Sequence, residues 1–359
     1  MRKLILAAWW ISLGLLSVSG CGDDKDATKP PGEGTWEAIL SPMVAFIWAL
    51  HVDGETLYAG GGWNGDLETN QVSRWDGSEW TALASGSSNG VKALRVYDGR
   101  LFAGGWFATM GASAGPYLAQ WDGAQWRSVG GGVDAAVEAM VDHNGYLILG
   151  GCFDNAGGQP VRQVARWDGV HLQPLGSGLN CTVRALAVYN GELYAGGSFV
   201  KVGSDSASYV SRWDGYDWRG IDSGMNDEVR ALAVYKGDLI AAGTFTRAGR
   251  GMASNVARWD GGVWHPLGGG VSSSEEFDRG VFALAVYGDE LIVGGSIDVA
   301  GGIPVHNIAR WDGTSWAALG AGTDDAVRAL AVLEDDLIVG GSFDRAGSRD
   351  VHRIARWRR

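Results

Sequence analysis

Two segments of the stretch Val183–Gly215 recur along most of the chain: VRALAVYNGELYAGGSF at Val183–Phe199 and VSRWDG at Val210–Gly215. The tryptophan of the second segment returns at a constant spacing, apart from one longer step between Trp259 and Trp311. Its positions are Trp75, Trp121, Trp167, Trp213, Trp259, Trp311 and Trp357. A fixed period in this range is typical of architectures built from stacked or radially arranged repeats.

Each unit contains four short segments with the pattern of strands. The first is V-x-A-L-x-V, as at Val183–Val188, and it leads into Asn190-Gly191, a strong hairpin signal. The second is L-x-x-G-G-x-F at Leu193–Phe199, and we expect a neighbouring tryptophan to pack against its glycines. The third is V/I-x-R-W, and an Asp-Gly turn joins it to the fourth, W-x-x-L. Each unit therefore predicts one four-stranded sheet.

The two ends of the repeat array complement each other. Trp36–Leu40 has the pattern of a fourth strand, whereas the last unit stops after its third strand at Trp357. First strands begin near Ile47, Val91, Val137, Val183, Val229, Val281 and Val327. We therefore predict an all-β fold, a seven-bladed β-propeller of four-stranded antiparallel blades closed by Trp36–Leu40. An open solenoid would carry polar capping units, and a β-helix would have shorter rungs without tryptophan-bearing hairpins.

The repeat resembles those of WD-repeat and kelch-like proteins. It is most similar to the GGxF…IARWDG repeat of bacterial surface proteins and of the fungal cortical polarity-marker family. The segments Gly196–Phe199, Arg212–Gly215 and Val183–Leu186 carry the resemblance. It implies a rigid scaffold for binding, without catalysis. The chain lacks the Gly-His dipeptide of true WD repeats, so the hydrogen-bond network of that family should not be assumed.

The N-terminal residues have the pattern of an export signal. Arg2 and Lys3 precede an apolar run that is too short for a membrane span, and VSGC ends at Cys21. This ending resembles a bacterial lipobox, which implies lipid attachment at Cys21 and a location in the cell envelope. Ordinary signal cleavage is the alternative. We predict a signal peptide at 1–20, a lipidated cysteine and flexible tether at 21–35, and the propeller at 36–359.

The charge of the chain excludes two classes of partner. The formal net charge is −12, whereas nucleic acids and anionic lipid surfaces are bound by clustered Lys and Arg. We therefore expect contact with the membrane only through the N-terminal lipid. A protein is the expected partner and a carbohydrate is the alternative.

A few residues depart from the repeat and suggest a ligand-binding face. Trp48 and Phe282 replace the arginine of V-R-A-L, and Trp106 replaces the serine of G-G-S-F. Loops that follow second and fourth strands should emerge on the same side, and the loop containing Ser272–Arg279 is longer than its equivalents. The candidate face comprises Trp48, Trp106, Phe282, Arg184, Arg230, Arg328 and Ser272–Arg279. Adaptation of these residues to a changed neighbouring loop is the alternative.

The remaining reactive residues fit structural roles. Cys152 and Cys181 should lie on that same side in adjacent blades, so we predict a disulfide, with two independent thiols as the alternative. Loop aspartates such as Asp134, Asp227 and Asp324 are spread around the ring. His306 and His352 occupy equivalent positions in neighbouring blades, but no cluster of further ligands accompanies them. Turn formation therefore explains the aspartates better than calcium binding does, and we expect no metal and no cofactor.

The sequence predicts no enzyme. Gly86–Gly90 matches G-x-S-x-G, but that motif requires a strand followed by a helix, whereas here it falls in a short loop between blades. A hydrolase or lyase would need a cluster of carboxylates or histidines at the channel mouth, for which Asp134, Asp227 and Asp324 are the faint candidates. The function expected is a non-catalytic binding or scaffold module. A lectin-like propeller is the first alternative.

Overall fold

A computed structural model describes residues 34–39, 46–62, 72–84, 86–112, 115–202, 205–275 and 278–359. Residues 34–359 form one compact unit. Cys21, the leader, the tether to residue 33 and Leu40 lie outside the described residues. Among the described residues, no helix is long and apolar enough to cross a membrane.

The described chain contains seven four-stranded antiparallel sheets, here numbered blades 1 to 7 in chain order. First strands are Phe46–Asp53, Val91–Tyr97, Val137–His143, Val183–Tyr189, Val229–Tyr235, Gly280–Tyr287 and Val327–Leu333. Second strands are Thr56–Gly62, Arg100–Gly105, Tyr146–Gly151, Glu192–Gly197, Asp238–Gly243, Glu290–Ser296 and Asp336–Gly341. Third strands are Val72–Trp75, Leu118–Trp121, Val164–Trp167, Val210–Trp213, Val256–Trp259, Ile308–Trp311 and Ile354–Arg358. Fourth strands are Trp80–Ala82, Trp126–Ser128, Leu172–Pro174, Trp218–Gly220, Trp264–Pro266, Trp316–Ala318 and, completing blade 7, Thr35–Ala38.

The blades are arranged in a closed ring. Each first strand contacts the first strands of the blades before and after it, and the first strand of blade 7 contacts that of blade 1. Thr35–Ala38 pairs with Ile354–Arg358, in register at Trp36 and Trp357. The predicted all-β propeller fold is therefore confirmed. The closing strand covers Thr35–Ala38 where the sequence predicted Trp36–Leu40.

Short two-residue strands occur within the connections between second and third strands. Four of the described connections form small hairpins, and a fifth forms a three-stranded sheet with Val271–Ser272. The hairpins are Asn155–Ala156 with Gln159–Pro160, Lys201–Val202 with Asp205–Ser206, Arg247–Ala248 with Gly251–Met252, and Arg345–Ala346 with Arg349–Asp350. The three-stranded sheet adds Val299–Ala300 and Ile303–Pro304. In these five blades the elements lie at the end of the blade where the first strand begins.

Turn chemistry and tryptophan packing explain why the repeat folds this way. Asn190 and Gly191 both have positive φ, which is the type I′ hairpin that the sequence predicts. Trp213 and Trp218 pair across the third and fourth strands with ring centroids 5.7 Å apart. Trp218 is buried, and its Nε1 donates to the Leu175 carbonyl of the preceding blade at 3.1 Å. The Trp218 indole is thus both packed and hydrogen-bonded between blades.

The glycines of the second strands have a different neighbour from the one expected. A Cβ at Gly196 would meet Val229 of the next blade, not a tryptophan. The tryptophans pack instead on glycines that follow fourth strands, as Trp213 does on Gly176. Because the side chain that fills the space is a valine on the innermost strand, the second-strand glycine brings adjacent blades together near the ring centre.

Candidate binding site at the channel mouth

Every first strand carries a β-bulge at the same place. In blade 4 the pairing register shifts between Val183 and Ala185, which leaves Arg184 as the extra residue. The same shift occurs in the other six blades. A bulge bends the strand and re-aims a side chain, so one residue of each blade is turned out of the regular sheet pattern. The seven bulge residues are Trp48, Lys92, Glu138, Arg184, Arg230, Phe282 and Arg328.

These seven side chains meet in one cavity of about 290 Å³, which Asp278 also lines. Since each of the seven innermost strands contributes one residue, the cavity lies on the axis of the ring. We call it the channel mouth and define it by the seven bulge residues. All seven are half-buried.

An apolar throat lies next to the mouth. A second cavity, of about 240 Å³, is lined by the alanine and the leucine or methionine that follow each bulge residue, as Ala185 and Leu186 follow Arg184. The sequence repeats these two positions almost unchanged, whereas the bulge position differs from blade to blade. Chemical variety is therefore concentrated at the mouth.

One side of the mouth is an ion-pair network centred on Glu228. Its Oε1 accepts from Arg184 Nε and from Ser198 Oγ, and its Oε2 accepts from Arg230 Nε at 2.7 Å. Burial opposes ionisation of Glu228, but the hydrogen bonds from Arg230 and Arg184 lower its pKa below the usual value. Arg184 Nη1 also lies 3.7 Å from Glu138 Oε2. Arginine side chains therefore lie close to both glutamates.

A second side of the mouth holds a lysine between two tryptophans. Lys92 Nζ lies 4.1 Å from the centroid of the Trp48 ring and 4.4 Å from that of Trp106. The two indoles are edge-to-face at 5.5 Å, and Trp106 Nε1 donates to Glu138 Oε1 at 2.6 Å. Burial lowers the pKa of Lys92 to about 8, and the nearby Glu138 carboxylate opposes the shift. Cation–π attraction to both rings stabilises the ammonium form.

The third side is built around Phe282. The guanidinium carbons of Arg230 and Arg328 lie 5.2 and 5.1 Å from the centroid of its ring. Arg328 Nε donates to Ser342 Oγ at 2.7 Å, and its Nη2 pairs with Asp278. Arg230 Nη1 donates to the Arg279 carbonyl at 3.0 Å. Part of the long predicted loop, Asp278 and Arg279, therefore reaches blades 5 and 7; Glu276 and Phe277 lie outside the described residues.

The structure brings all six candidate side chains together. Trp48, Arg184, Arg230, Phe282 and Arg328 line the mouth, and Trp106 packs on Trp48 with 40% of its own surface exposed. Sequence reasoning missed Lys92 and Glu138, although both occupy the x of V-x-A-L in blades 2 and 3. That shared position was the signal that could have found them.

Cys152 and Cys181 are separate, exposed thiols in the structure, not the predicted disulfide. The Cys152 thiol faces its own blade, with Sγ 3.8 Å from the Ala136 carbonyl oxygen. This contact directs the sulfur toward the start of its own first strand.

The acidic loop residues have structural partners. Asp134 Oδ1 accepts the backbone N–H groups of Asp154 and Asn155, and Asp324 Oδ1 does the same in blade 7 for Asp344 and Arg345. Asp227 accepts the N–H of Glu228. In the described part of the chain, no three His, Cys, Asp or Glu residues, His306 and His352 included, gather in a way that could hold a metal.

The serine of the G-x-S-x-G match also has a structural partner. Ser87 is buried and bridges to Met110 in a loop between blades, and its Oγ donates to the Asn89 carbonyl at 2.5 Å. The serine therefore lies in the interblade loop that the sequence predicted, and its hydroxyl is engaged locally.

Similar solved structures include WD40 β-propellers. The WD40 β-propeller domain of Doa1 matches 90% of this chain and 96% of its own length, at 15% identity and a TM-score of 0.56. A chain of the mitotic checkpoint complex matches 98% and 99%, at 14% identity and a TM-score of 0.57. The computationally designed Ika8 protein matches 89% and 98%, at 18% identity and a TM-score of 0.51. Identities this low show the fold alone, an all-β propeller. Neither a protein-family model nor a curated protein matches the sequence.

Proposed function

We propose that this protein is a lipid-anchored component of a bacterial cell envelope whose propeller binds a partner protein at the channel mouth, without catalysis. The proposal rests on the seven bulge residues that form the channel mouth. Seven equivalent positions in nearly interchangeable blades hold seven side chains of five kinds, and these side chains meet in one cavity. A ring that served only to pack the blades would need no such variety.

The asymmetry of the mouth supports a protein partner over a glycan. A lectin-like propeller would repeat the same aromatic and polar set in each groove between blades. Here the exposed Trp106 belongs to blade 2 and Phe282 to blade 6, so the departures from the repeat serve one composite face. Aromatic and arginine residues around a cavity are the composition typical of the energetic centre of a protein interface.

The carboxyl groups of the mouth support binding over carboxyl-based acid–base chemistry. A general acid needs a carboxyl group with a raised pKa, whereas arginines lower the pKa of Glu228. The Glu138 side chain is only 8% exposed, and its two oxygens contact Trp106 Nε1 and Arg184 Nη1, which leaves little room for a substrate. Asp134 and Asp324, which the sequence offered as faint catalytic candidates, each bind two backbone N–H groups.

The anchor rests on the sequence alone. Cys21 follows an apolar leader and precedes a polar, Pro- and Gly-containing segment that would act as a flexible tether. Metabolic labelling with a radioactive fatty acid should mark the wild-type protein and leave Cys21→Ser unlabelled. Equal labelling of both would refute lipidation at this cysteine.

Site-specific photo-crosslinking in the cells that make the protein tests the binding function. A benzophenone side chain at Glu275, which is exposed on the face that bears the mouth, should give one dominant protein adduct. The matched control places the same group at Glu334, exposed in the turn after the blade 7 first strand at the opposite end of the blade. Glycan adducts only, no adduct, or the same adducts from both positions would contradict the proposal.

A further inference from the structure

The channel mouth has more hydrogen-bond donors than acceptors. Among the described residues, Lys92 Nζ makes its cation–π contacts but donates no hydrogen bond. Arg230 uses Nε and Nη1, and Arg328 uses Nε and Nη2, so each guanidinium keeps one amino group for a further acceptor. Oε1 of Glu138 and both oxygens of Glu228 already accept hydrogen bonds. The spare donors of Lys92, Arg230 and Arg328 therefore favour a ligand that brings acceptor oxygens.

The charges of the mouth point the same way. Four cations, Lys92, Arg184, Arg230 and Arg328, face three carboxylates, Glu138, Glu228 and Asp278, which leaves one surplus positive charge. A single carboxylate would neutralise that surplus, whereas a phosphate dianion would overcompensate it. Arginine also suits a carboxylate geometrically, because its planar fork matches the two oxygens.

We infer that the channel mouth binds a carboxylate of the partner protein, received by Lys92, Arg230 and Arg328 beside the Phe282 ring. This inference rests on the proposed function, because it names the chemistry by which the same site recognises its partner. Asp278 already demonstrates the contact from within the chain: its carboxylate is 55% exposed and is paired with Arg328 at the rim. The partner's carboxylate would bind alongside Asp278 and compete with it for that arginine.

The test uses small probes, so that it does not depend on capture of the natural partner. N-acetyl-glutamate amide carries a side-chain carboxylate, N-acetylglycine carries a terminal one, and N-acetyl-glutamine amide is the neutral match. Binding to the full-length protein is followed by the indole N–H signal of Trp106, assigned with Trp106→Phe. We expect saturable chemical-shift changes with a carboxylate probe. The affinity for the glutamine probe should be at least about tenfold lower, because hydrogen bonds to charged groups are stronger than those between neutral groups. The carboxylate probe that binds more tightly shows whether the partner's carboxylate belongs to a side chain or to a chain terminus.

Variants at the mouth should move the affinity in opposite directions. Lys92→Gln and Arg328→Gln should each weaken binding about tenfold. Asp278→Asn should strengthen it severalfold, because a competing carboxylate is removed. Arg95→Gln is the matched control, since Arg95 is also a first-strand cation with a carboxylate partner, Asp142, but lies near the other end of its strand. It should leave the affinity unchanged.

Binding should also depend on pH. The ammonium group of Lys92 lies between two indoles and interacts electrostatically with the charged side chains Glu138, Asp278, Arg184 and Arg328. Affinity for the carboxylate probe should therefore fall as the pH rises through about 8, where Lys92 loses its proton.

Three results would overturn the inference: equal binding of the glutamate and glutamine probes, no probe binding at all, or tighter binding of inorganic phosphate than of either carboxylate. If the Glu275 crosslink still captured one protein, the binding function would survive and only the carboxylate assignment would fail. If no protein were captured, the proposed function would fail whatever the probes did.

Discussion

The ammonium nitrogen of Lys92 in blade 2 lies 4.1 Å from the centroid of the Trp48 ring in blade 1. Both residues occupy the bulge of their first strand, so the contact exists only because two blades meet at the ring centre. A cation held against an indole, with a second indole 4.4 Å away, is less hydrated than a lysine on an open surface. The pKa of this lysine is therefore a measurable property of the mouth.

Lys92 should titrate well below an ordinary lysine. Burial lowers its pKa to about 8 in the folded protein, so between pH 8 and the unfolded value of 10.5 the unfolded state binds more protons. The free energy of unfolding of the wild type should therefore rise with pH across this window. Relative to Lys92→Met the gain should reach at most about 3 kcal/mol, measured by urea unfolding at several pH values. A difference between the two proteins that does not change with pH would show that the lysine is not desolvated.

The closing strand should contribute strongly to stability. Trp36 is buried against Trp357 with ring centroids 5.0 Å apart, and it joins the two ends of the ring. Trp36→Ala should lower the free energy of unfolding by about 3–5 kcal/mol. Trp80→Ala is the matched control, because Trp80 has the same position in blade 1 but is only half-buried, so the loss should be smaller. An equal or larger loss at Trp80 would contradict closure through Trp36.

The second-strand glycines should set the spacing between blades. A Cβ at Gly196 would clash with Val229 Cγ1, so Gly196→Ala should destabilise the protein by about 1–3 kcal/mol through overpacking. Blade 5 has Ala242 at the equivalent position, fully buried, and Ala242→Gly should cost about 1 kcal/mol through added backbone freedom and a lost methyl contact. Thermal unfolding of the two variants measures both effects. Wild-type stability of Gly196→Ala would mean that the close approach of blades 4 and 5 does not depend on this glycine.

Cys152 and Cys181 should both be free thiols in the native protein. Cys152 and Cys181 are exposed thiols, so alkylation without reductant, followed by peptide mass spectrometry, should label each of them. Labelling that appears only after reduction would establish the disulfide that the sequence suggested.

The repeat made most of the fold predictable. Tryptophans at a constant period, an Asn-Gly turn and a spare fourth strand at Trp36 were sufficient to predict four-stranded sheets and the strand that completes the last one. These features are local or periodic, and a closed ring is the arrangement that buries all of them. The neighbour of Gly196 was not predictable, because contacts between blades depend on how far adjacent sheets are rotated.

The candidate site was predictable in part. Replacement of arginine by Trp48 and Phe282 was visible as a departure from the repeat, but Lys92 and Glu138 were missed because a charged residue at an x position looks like an ordinary solvated side chain. The β-bulge determines the direction in which the x side chain points. A regular strand would direct alternate residues to opposite sheet faces, and nothing in V-x-A-L shows that the x residue is re-aimed toward the axis.

The central claim is that the partner protein is bound at the channel mouth, and quantitative binding of the crosslinked partner to purified variants tests it most directly. Phe282→Ala removes the ring that lies between Arg230 and Arg328. Tyr216→Ala removes an aromatic side chain that is 83% exposed at the opposite end of blade 4. We predict at least about tenfold weaker binding for Phe282→Ala, with unchanged thermal stability, and wild-type binding for Tyr216→Ala. Wild-type affinity of Phe282→Ala, or a loss confined to Tyr216→Ala, would place the partner elsewhere on the molecule.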